Sequence, residues 1–409
     1  MQYRVLLLTL VLSVTAATGV LFSSDTTIYE PRLRVTDPEL EAGGGGSVAV
    51  PEGAAALRSN PAAFAEPGRV LLRGAGGLAV EPGTISRIGS DVVLDGTVPF
   101  PRNFASVYGS EFDDNGFGFS GSGEVFLSGF NVGIAFFTDH EVFMRGVGAD
   151  NDGFDAAEGF LLSEAGFAAG AAIPFSAGPF DVRVGGAVRP MLRVRGELDD
   201  PGAVSAFAGG ARFDEAFADT PVLNGFALGI DLGVLAHYGN LSVGASVRDI
   251  GDSVVDYREH SLSDVMDAST EGQLPEGGAD HGTLLDPDSS YVIPMQTRIG
   301  AAYSFEGDYL QPTLFADIHD VHRLFAVQRG KLDARGHLSP DSDSPRVVDH
   351  LSAGLDVDIL RYFSARAGLN SDGPSLGFGA NLGPLRLDSS LRFSEGAASR
   401  ASVGAQLRF

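Results

Sequence analysis

From Val70 onward, apolar residues return at every second position, the repeat of an extended strand with two unlike faces. Phe226, Leu228, Ile230, Leu232, Val234, Ala236 and Tyr238 alternate with Ala227, Gly229, Asp231, Gly233 and His237; Leu235 is the misfit. The pattern returns in Leu241–Val247, Leu351–Ile359, Phe363–Leu369, Leu376–Leu382 and Leu385–Phe393, and it runs to Phe409. Long helices are disfavoured by 55 Gly in 409 residues, since an interior Gly costs roughly 1 kcal/mol against Ala.

Two architectures satisfy such alternation. A soluble sandwich turns its apolar faces inward, whereas a membrane barrel turns them to lipid and lines its lumen with polar groups. Several runs reach about ten residues, the length that crosses a bilayer at a tilt. Their polar faces carry Arg and Asp in mid-strand. Connection lengths also take turns. Going back from Phe409, links such as "SEGAAS", "SDGP" and the long stretches near 323–347, 252–292 and 197–223 alternate with tight breaks at Gly383, Arg361, Glu306, Gly239 and Ser176. Short turns on one side and longer loops on the other are the rhythm of bacterial outer-membrane barrels. The expected fold is therefore all-β: a transmembrane antiparallel barrel of about fourteen strands, within roughly 12–16. The first certain strand is placed at about Pro99–Val107, with another hairpin possible in 69–123.

The first residues, "MQYRVLLLTLVLSVTAATG", have the outline of a secretory signal: a basic start, an apolar run and small residues suited to cleavage. Residues 1–19 are read as that signal, 20–48 as a polar linker with the flexible joint Gly43–Gly46, and 69–409 as the barrel. The expected location is the bacterial outer membrane. No stretch is long and apolar enough for a membrane helix. The absence of Cys removes disulfides and thiolate sites, and a net charge of −25 repels nucleic acid. The acids crowd into stretches such as "GADNDGFDAAEG" with turn-forming residues between them, the composition of solvated outer loops.

Residues 49–68 contain "VPEGAAALRSNPAAFAEPG", in which Asn60, Pro61 and Ala62 form an Asn-Pro-Ala element ahead of the first strands. This segment resembles the N-terminal signature of the FadL-like superfamily, the long-chain fatty acid transporters and their relatives, PorV-like barrels included. The resemblance implies a hatch in the lumen, gated uptake of hydrophobic or amphipathic small molecules, and no enzymatic activity. A PorV-type scaffold, binding a protein partner through the acidic outer loops, is the alternative. The closing stretch "ASVGAQLRF", with Val403, Leu407 and Phe409 in alternate positions, resembles the signal that barrel-assembly machinery reads. Outer-membrane lipid and that machinery are the partners implied.

One lumen stripe stands out. Arg183, Arg189, Arg193 and Arg195 share a face, and Arg248 and Arg298 are placed inward on later strands. On the lipid face each would cost ~2–4 kcal/mol near the midplane. They either attract an anion or pair with the inward acids Asp231, Asp317, Asp356, Asp358 and Asp388, bracing barrel and hatch. No catalytic, cofactor or metal site is assigned. "GPSLG" around Ser375 lacks the strand-to-helix elbow, "HDVH" sets its two His on opposite faces, and "DNDGFD" lacks the spacing of a calcium loop.

Overall fold

The computed structural model describes residues 26–31, 33, 36–51, 59–65, 69–80, 116–150, 153–271, 273, 275, 278, 284–285, 289–324, 331–332, 338–339, 350–393 and 399–409. The proposed signal, 1–19, and the strand expected at 99–107 lie outside these residues.

Fourteen strand positions close into one antiparallel ring. It begins with β2 (Arg69–Val80), β3 (Phe117–Gly129), β4 (Val132–Asp150), β5 (Gly153–Ala177), β6 (Phe180–Glu197) and β7 (Pro221–Tyr238). The next position is shared by β8 (Leu241–Arg248) and β9 (Ser253–Ser261), and the one after by β10 (Ser289–Ile293) and β11 (Gln296–Ser304). Then follow β12 (Leu310–His319), β15 (Leu351–Ile359), β16 (Phe363–Asn370), β17 (Gly373–Leu382), β18 (Leu385–Arg392) and β19 (Ser399–Arg408). The ring closes where β19 pairs with β2, from Ser399↔Val80 to Arg408↔Leu71. Outside the ring are β1 (Thr26–Tyr29), parallel to β10, and the small pair β13 (Lys331–Leu332) and β14 (Leu338–Ser339). Five short α-helices, α1 (Pro38–Ala42), α2 (Pro201–Ala208), α3 (Phe213–Ala216), α4 (Leu262–Thr270) and α5 (Val321–Leu324), and a 3₁₀ turn (Pro61–Ala65) complete the described elements. None is long and apolar enough to cross a membrane, and the crossing is made by strands.

The polarity of the wall is that of a membrane barrel. Ile134, Phe136, Leu228, Ile230, Leu232, Leu376, Phe378 and Val403 are exposed on its outside, while Asp139, Glu164, Arg193 and Asp231 are buried within. Water would not tolerate so broad an apolar belt, but acyl chains cover it. At the tight-turn end Phe130, Tyr238, Tyr309, Tyr362 and Phe409 stand exposed, an aromatic girdle made without Trp. Ile230→Arg, on the lipid face of β7, should destabilise the folded barrel by ~2–4 kcal/mol. Urea titration of the refolded protein in detergent micelles checks this.

Two expectations are corrected. The ring closes on Arg69–Val80, so fourteen strands are reached without 99–107. The stretch 252–292 is not one loop: it continues the wall as β9 and β10, with α4 between them. The joint between β8 and β9 is a bulge, with positive φ at Asp249 (52°), Gly251 (81°) and Asp252 (64°). Across from it lies Pro294, which has no N–H to contribute to a ladder. The bulge is held by its own bonds: Asp249 N–H donates to Asp231 Oδ1 (3.0 Å) and Met295 N–H to Asp252 Oδ1 (2.7 Å).

The wall is taller on one side. β5 has 25 residues and β4, β6 and β7 have 18 or 19, against 8 to 10 in β15–β19. A bilayer needs about 9–11. Above the lipid belt the outer face remains apolar, and α2 and α3 fold back over it, covering Val142, Met144, Leu161, Val194 and Val222 with Leu198, Val204 and Phe217.

Candidate functional site

The lumen is filled by the chain's own N-terminal segment. Residues 36–49 and 59–65 touch inward side chains from strands all around the ring, and most of them are buried. Helix α1 begins at Asp37, whose Oδ1 accepts from the N–H groups of Glu39 (3.1 Å) and Leu40 (3.3 Å), with Pro38 in the first turn. It lies against β16–β19. Gly43–Gly46, read from sequence as a flexible joint, then turn along the adjoining wall from β16 toward β11: Asn370 donates to Gly44 O (3.1 Å), and Arg298 to Gly45 O (3.4 Å) and Gly46 O (3.3 Å). Positive φ at Gly44 (76°) and Gly46 (70°) lets the chain make this turn. Asp317 accepts from Ser47 Oγ (2.8 Å) and Val48 N (2.7 Å).

Asn60 forms the next fixed point. Its amide donates to Val48 O (3.0 Å) and Val234 O (3.1 Å), and its Oδ1 accepts from Ala62 N–H (3.0 Å), closing an Asx turn over Pro61. Pro61–Ala65 is a 3₁₀ turn whose Phe64 is fully buried beside Phe126 (ring centroids 6.1 Å apart), Leu71 and Ala135. Leu235, the break in the alternation, faces inward and packs on Ala62 and Ala63.

The wall receives this segment on glycines. A Cβ at Gly185 would land on the Pro61 carbonyl, at Gly233 on the Asn60 side chain, at Gly244 on the Val48 carbonyl, and at Gly368 on the Gly44 nitrogen. Gly133 and Gly170 leave the space that the Phe64 ring fills.

Four acids of the segment are clamped by wall arginines. Asp37 pairs with Arg73, which also reaches Glu124 (2.9 Å). Glu39 pairs with Arg386 (2.7 Å) and Arg366 (3.7 Å). Glu41 meets Arg400 Nε (3.3 Å) and accepts from Ser402 (2.6 Å) and Ser390 (3.0 Å). Glu30 lies between Arg195 (3.1 Å) and Arg193 (3.5 Å). Buried charges need this degree of pairing, since an isolated one is strongly disfavoured.

The sequence-predicted residues fall as follows. Arg189 bridges Asp231 (3.4 Å) and Asp249 (2.8 Å), Arg248 approaches Asp231 (3.8 Å), and Arg298 pairs with Asp317 (3.4 Å). Arg193 also pairs with Glu164, and Arg195 with Glu197 (3.6 Å). Arg183 lies on the same face of β6, level with Leu235 of β7. Asp356 and Asp388 converge on Arg366 (2.7 and 2.8 Å), while Asp358, two residues nearer the tight turn, is exposed. Val403, Leu407 and Phe409 face outward on β19 and just beyond it, with Phe409 N–H donating to Val70 O (3.0 Å). Sequence reasoning missed Arg73, Arg366, Arg386 and Arg400, the acids Asp37, Glu39 and Glu41 opposite them, and Glu30 opposite Arg193 and Arg195. The signal was present in Arg386, Asp388, Ser390 and Arg392, charged or polar at alternate positions of one strand.

The catalytic look-alikes have structural partners. Ser375 Oγ donates to Ala42 O (3.1 Å), holding α1 to β17. His319 bonds Ser352 (2.7 Å) and His322 bonds Thr297 (2.9 Å), in separate places. Among the described residues no three of His, Cys, Asp or Glu are grouped to hold a metal.

An exterior fit for lipid, a charged interior and a chain segment seated inside it define a transmembrane β-barrel with an internal plug. No protein-family profile and no curated protein sequence matches the chain. Among solved structures it is similar to the toluene transporter TbuX of Ralstonia pickettii, at 15% identity over 92% of this chain and 98% of that one, TM-score 0.46. It is similar as well to the toluene transporter TodX of Pseudomonas putida (12% identity, 94% and 99% covered, TM-score 0.43) and to the monoaromatic hydrocarbon channel CymD (14%, 93% and 98%, TM-score 0.47).

Proposed function

We propose that this barrel carries hydrophobic or amphipathic small molecules across the outer membrane, with the N-terminal segment as its gate. The observation that carries this reading is how the lumen is closed. The plug is held by ion pairs, hydrogen bonds and glycine seats, contacts that can be broken and remade without opening the wall. A permanently sealed barrel would have no use for a detachable filling, and an open diffusion pore would have none to detach. At the outer end, Phe207 and Phe213 stand half-buried on α2 and α3, next to Phe119 and Phe217, and offer apolar surface to an arriving molecule.

The gate reading assigns Asn60, Pro61 and Ala62 to the hinge side of the plug and the paired acids to its releasable side. Cells lacking the protein should take up labelled long-chain fatty acid more slowly than cells that carry it, and re-expression should restore the rate. Equal rates overturn the reading. Recovery of a stoichiometric protein partner instead, lost when the outer segments 198–220 and 262–288 are replaced, would favour the scaffold role.

A further inference from the structure

Glu30 occupies a place built for a carboxylate. Its Oε2 accepts from the Tyr257 hydroxyl (3.1 Å) and lies 3.5 Å from Arg193 Nε, while its Oε1 accepts from Arg195 Nη1 (3.1 Å). Glu30 and Arg193 are 1% and 0% exposed. Around this polar knot the walls are apolar: Met191, Val255, Tyr291 and Ile293 are buried together, and Ile28 of β1 packs against them. Two guanidinium groups and a phenol converging on one carboxylate, with apolar surface beside it, make a complete recognition site for an acid with an apolar tail. The occupant is at present the chain itself, with Glu30 as the head and Ile28 as the apolar part.

The element that delivers Glu30 is lightly held. β1 pairs with β10 over four residues, Thr26↔Ser289 to Tyr29↔Val292, in the parallel sense, which is the weaker one per residue. Beyond the strand, Glu30 N–H donates to Val292 O (2.7 Å), and Arg193 reaches Pro31 O. If Glu30 leaves, Arg193 keeps Glu164 and Arg195 keeps Glu197, but the Tyr257 hydroxyl and the guanidinium edges now turned to Glu30 lose the acceptor they share.

Resting on the transport reading above, we infer that β1 is a tethered competitor: Glu30 fills a carboxylate clamp formed by Arg193, Arg195 and Tyr257. An incoming acid with an apolar tail replaces Glu30 there and lifts β1 from β10. A tethered group competes at roughly millimolar effective concentration, so the clamp stays closed until such an acid accumulates. The plug's first latch is then opened by the cargo's own head group, and neutral hydrocarbons do not open it.

The test uses the full barrel in detergent micelles, with 11-(dansylamino)undecanoic acid as probe and the matching alcohol as control. Glu30→Gln should bind the acid about tenfold more tightly than the unaltered protein, ~1.4 kcal/mol, because the competitor has lost its charge. In that background Tyr257→Phe and Arg195→Gln should each weaken binding, and the alcohol should show neither effect. The chain has no Cys, so spin labels at Thr27→Cys and Ser290→Cys report the β1–β10 distance alone. The acid should move them apart. Unchanged affinity in Glu30→Gln, or binding with the labels still together, overturns the inference. If fatty acid enters cells equally well with and without the protein while the clamp behaves as stated, the transport reading falls and the clamp stands. If transport is real and indifferent to Glu30→Gln, the reverse holds.

Discussion

The double variant Gly244→Val, Gly368→Val should conduct ions in planar bilayers under conditions in which the unaltered protein does not. Both glycines face the lumen, from strands β8 and β16 four positions apart around the ring, and both would touch the plug's backbone. At Gly244 a new Cβ meets the Val48 carbonyl and Ala49 Cα; at Gly368 it meets Gly44 N and Gly43 C. Backbone atoms cannot step aside by a rotamer change, so the plug must shift as a body. Valine is at home in a strand, and its side chain leaves the wall's hydrogen-bond ladder untouched. Overpacking of this kind costs ~1–3 kcal/mol per site, and the plug contacts are the cheaper place for that cost to fall. Heat-shifted gel mobility verifies that the barrel is still folded. A folded variant as silent as the parent would show that the plug is no gate.

Arg366→Leu should be the most destabilising single change in the lumen. This guanidinium, 4% exposed, gathers Asp356 (2.7 Å), Asp388 (2.8 Å) and Glu39 (3.7 Å), and its Nη2 donates to Ser364 (2.8 Å). Leucine keeps much of the volume but removes the guanidinium that joins three carboxylates, while Arg386 reaches two of them, Asp388 and Glu39. Removing one partner of a buried ion pair costs ~3–5 kcal/mol, since the stranded charge is the main penalty. The midpoint of urea unfolding in micelles should fall accordingly. Adding Asp356→Asn and Asp388→Asn should recover part of the loss. A variant as stable as the parent, or one that these substitutions fail to help, would mean that the cluster does not brace the barrel.

The wall was legible in the sequence wherever lipid lies on one side and the charged lumen on the other. Phe226–Tyr238 shows that contrast at every step, and so gives both the strand and its facing. One strand beyond the lipid belt reverses that contrast. In β9, Asp256 and Arg258 face out while Val255 and Tyr257 face in, which reads as irregular when lipid is expected outside. For that reason 252–292 looked like one loop. β2 was hard to see for another reason, because "RGAGGLA" offers small residues on both faces. The plug acids were invisible in principle: Glu39 and Glu41 have the composition of a solvated linker, and only Arg366, Arg386 and Arg400, from β16, β18 and β19, make them interior groups. Leu235 was the informative exception. An apolar residue on a polar face marked the place where Ala62 and Ala63 rest.

The ring's last seam, between β19 and β2, joins the two ends of the barrel segment, and the plug precedes β2 in the chain. Those two strands also carry Arg73 and Arg400, the partners of Asp37 and Glu41, so zipping the seam and seating the plug support one another: the plug's acids bridge the edges that the last ladder joins.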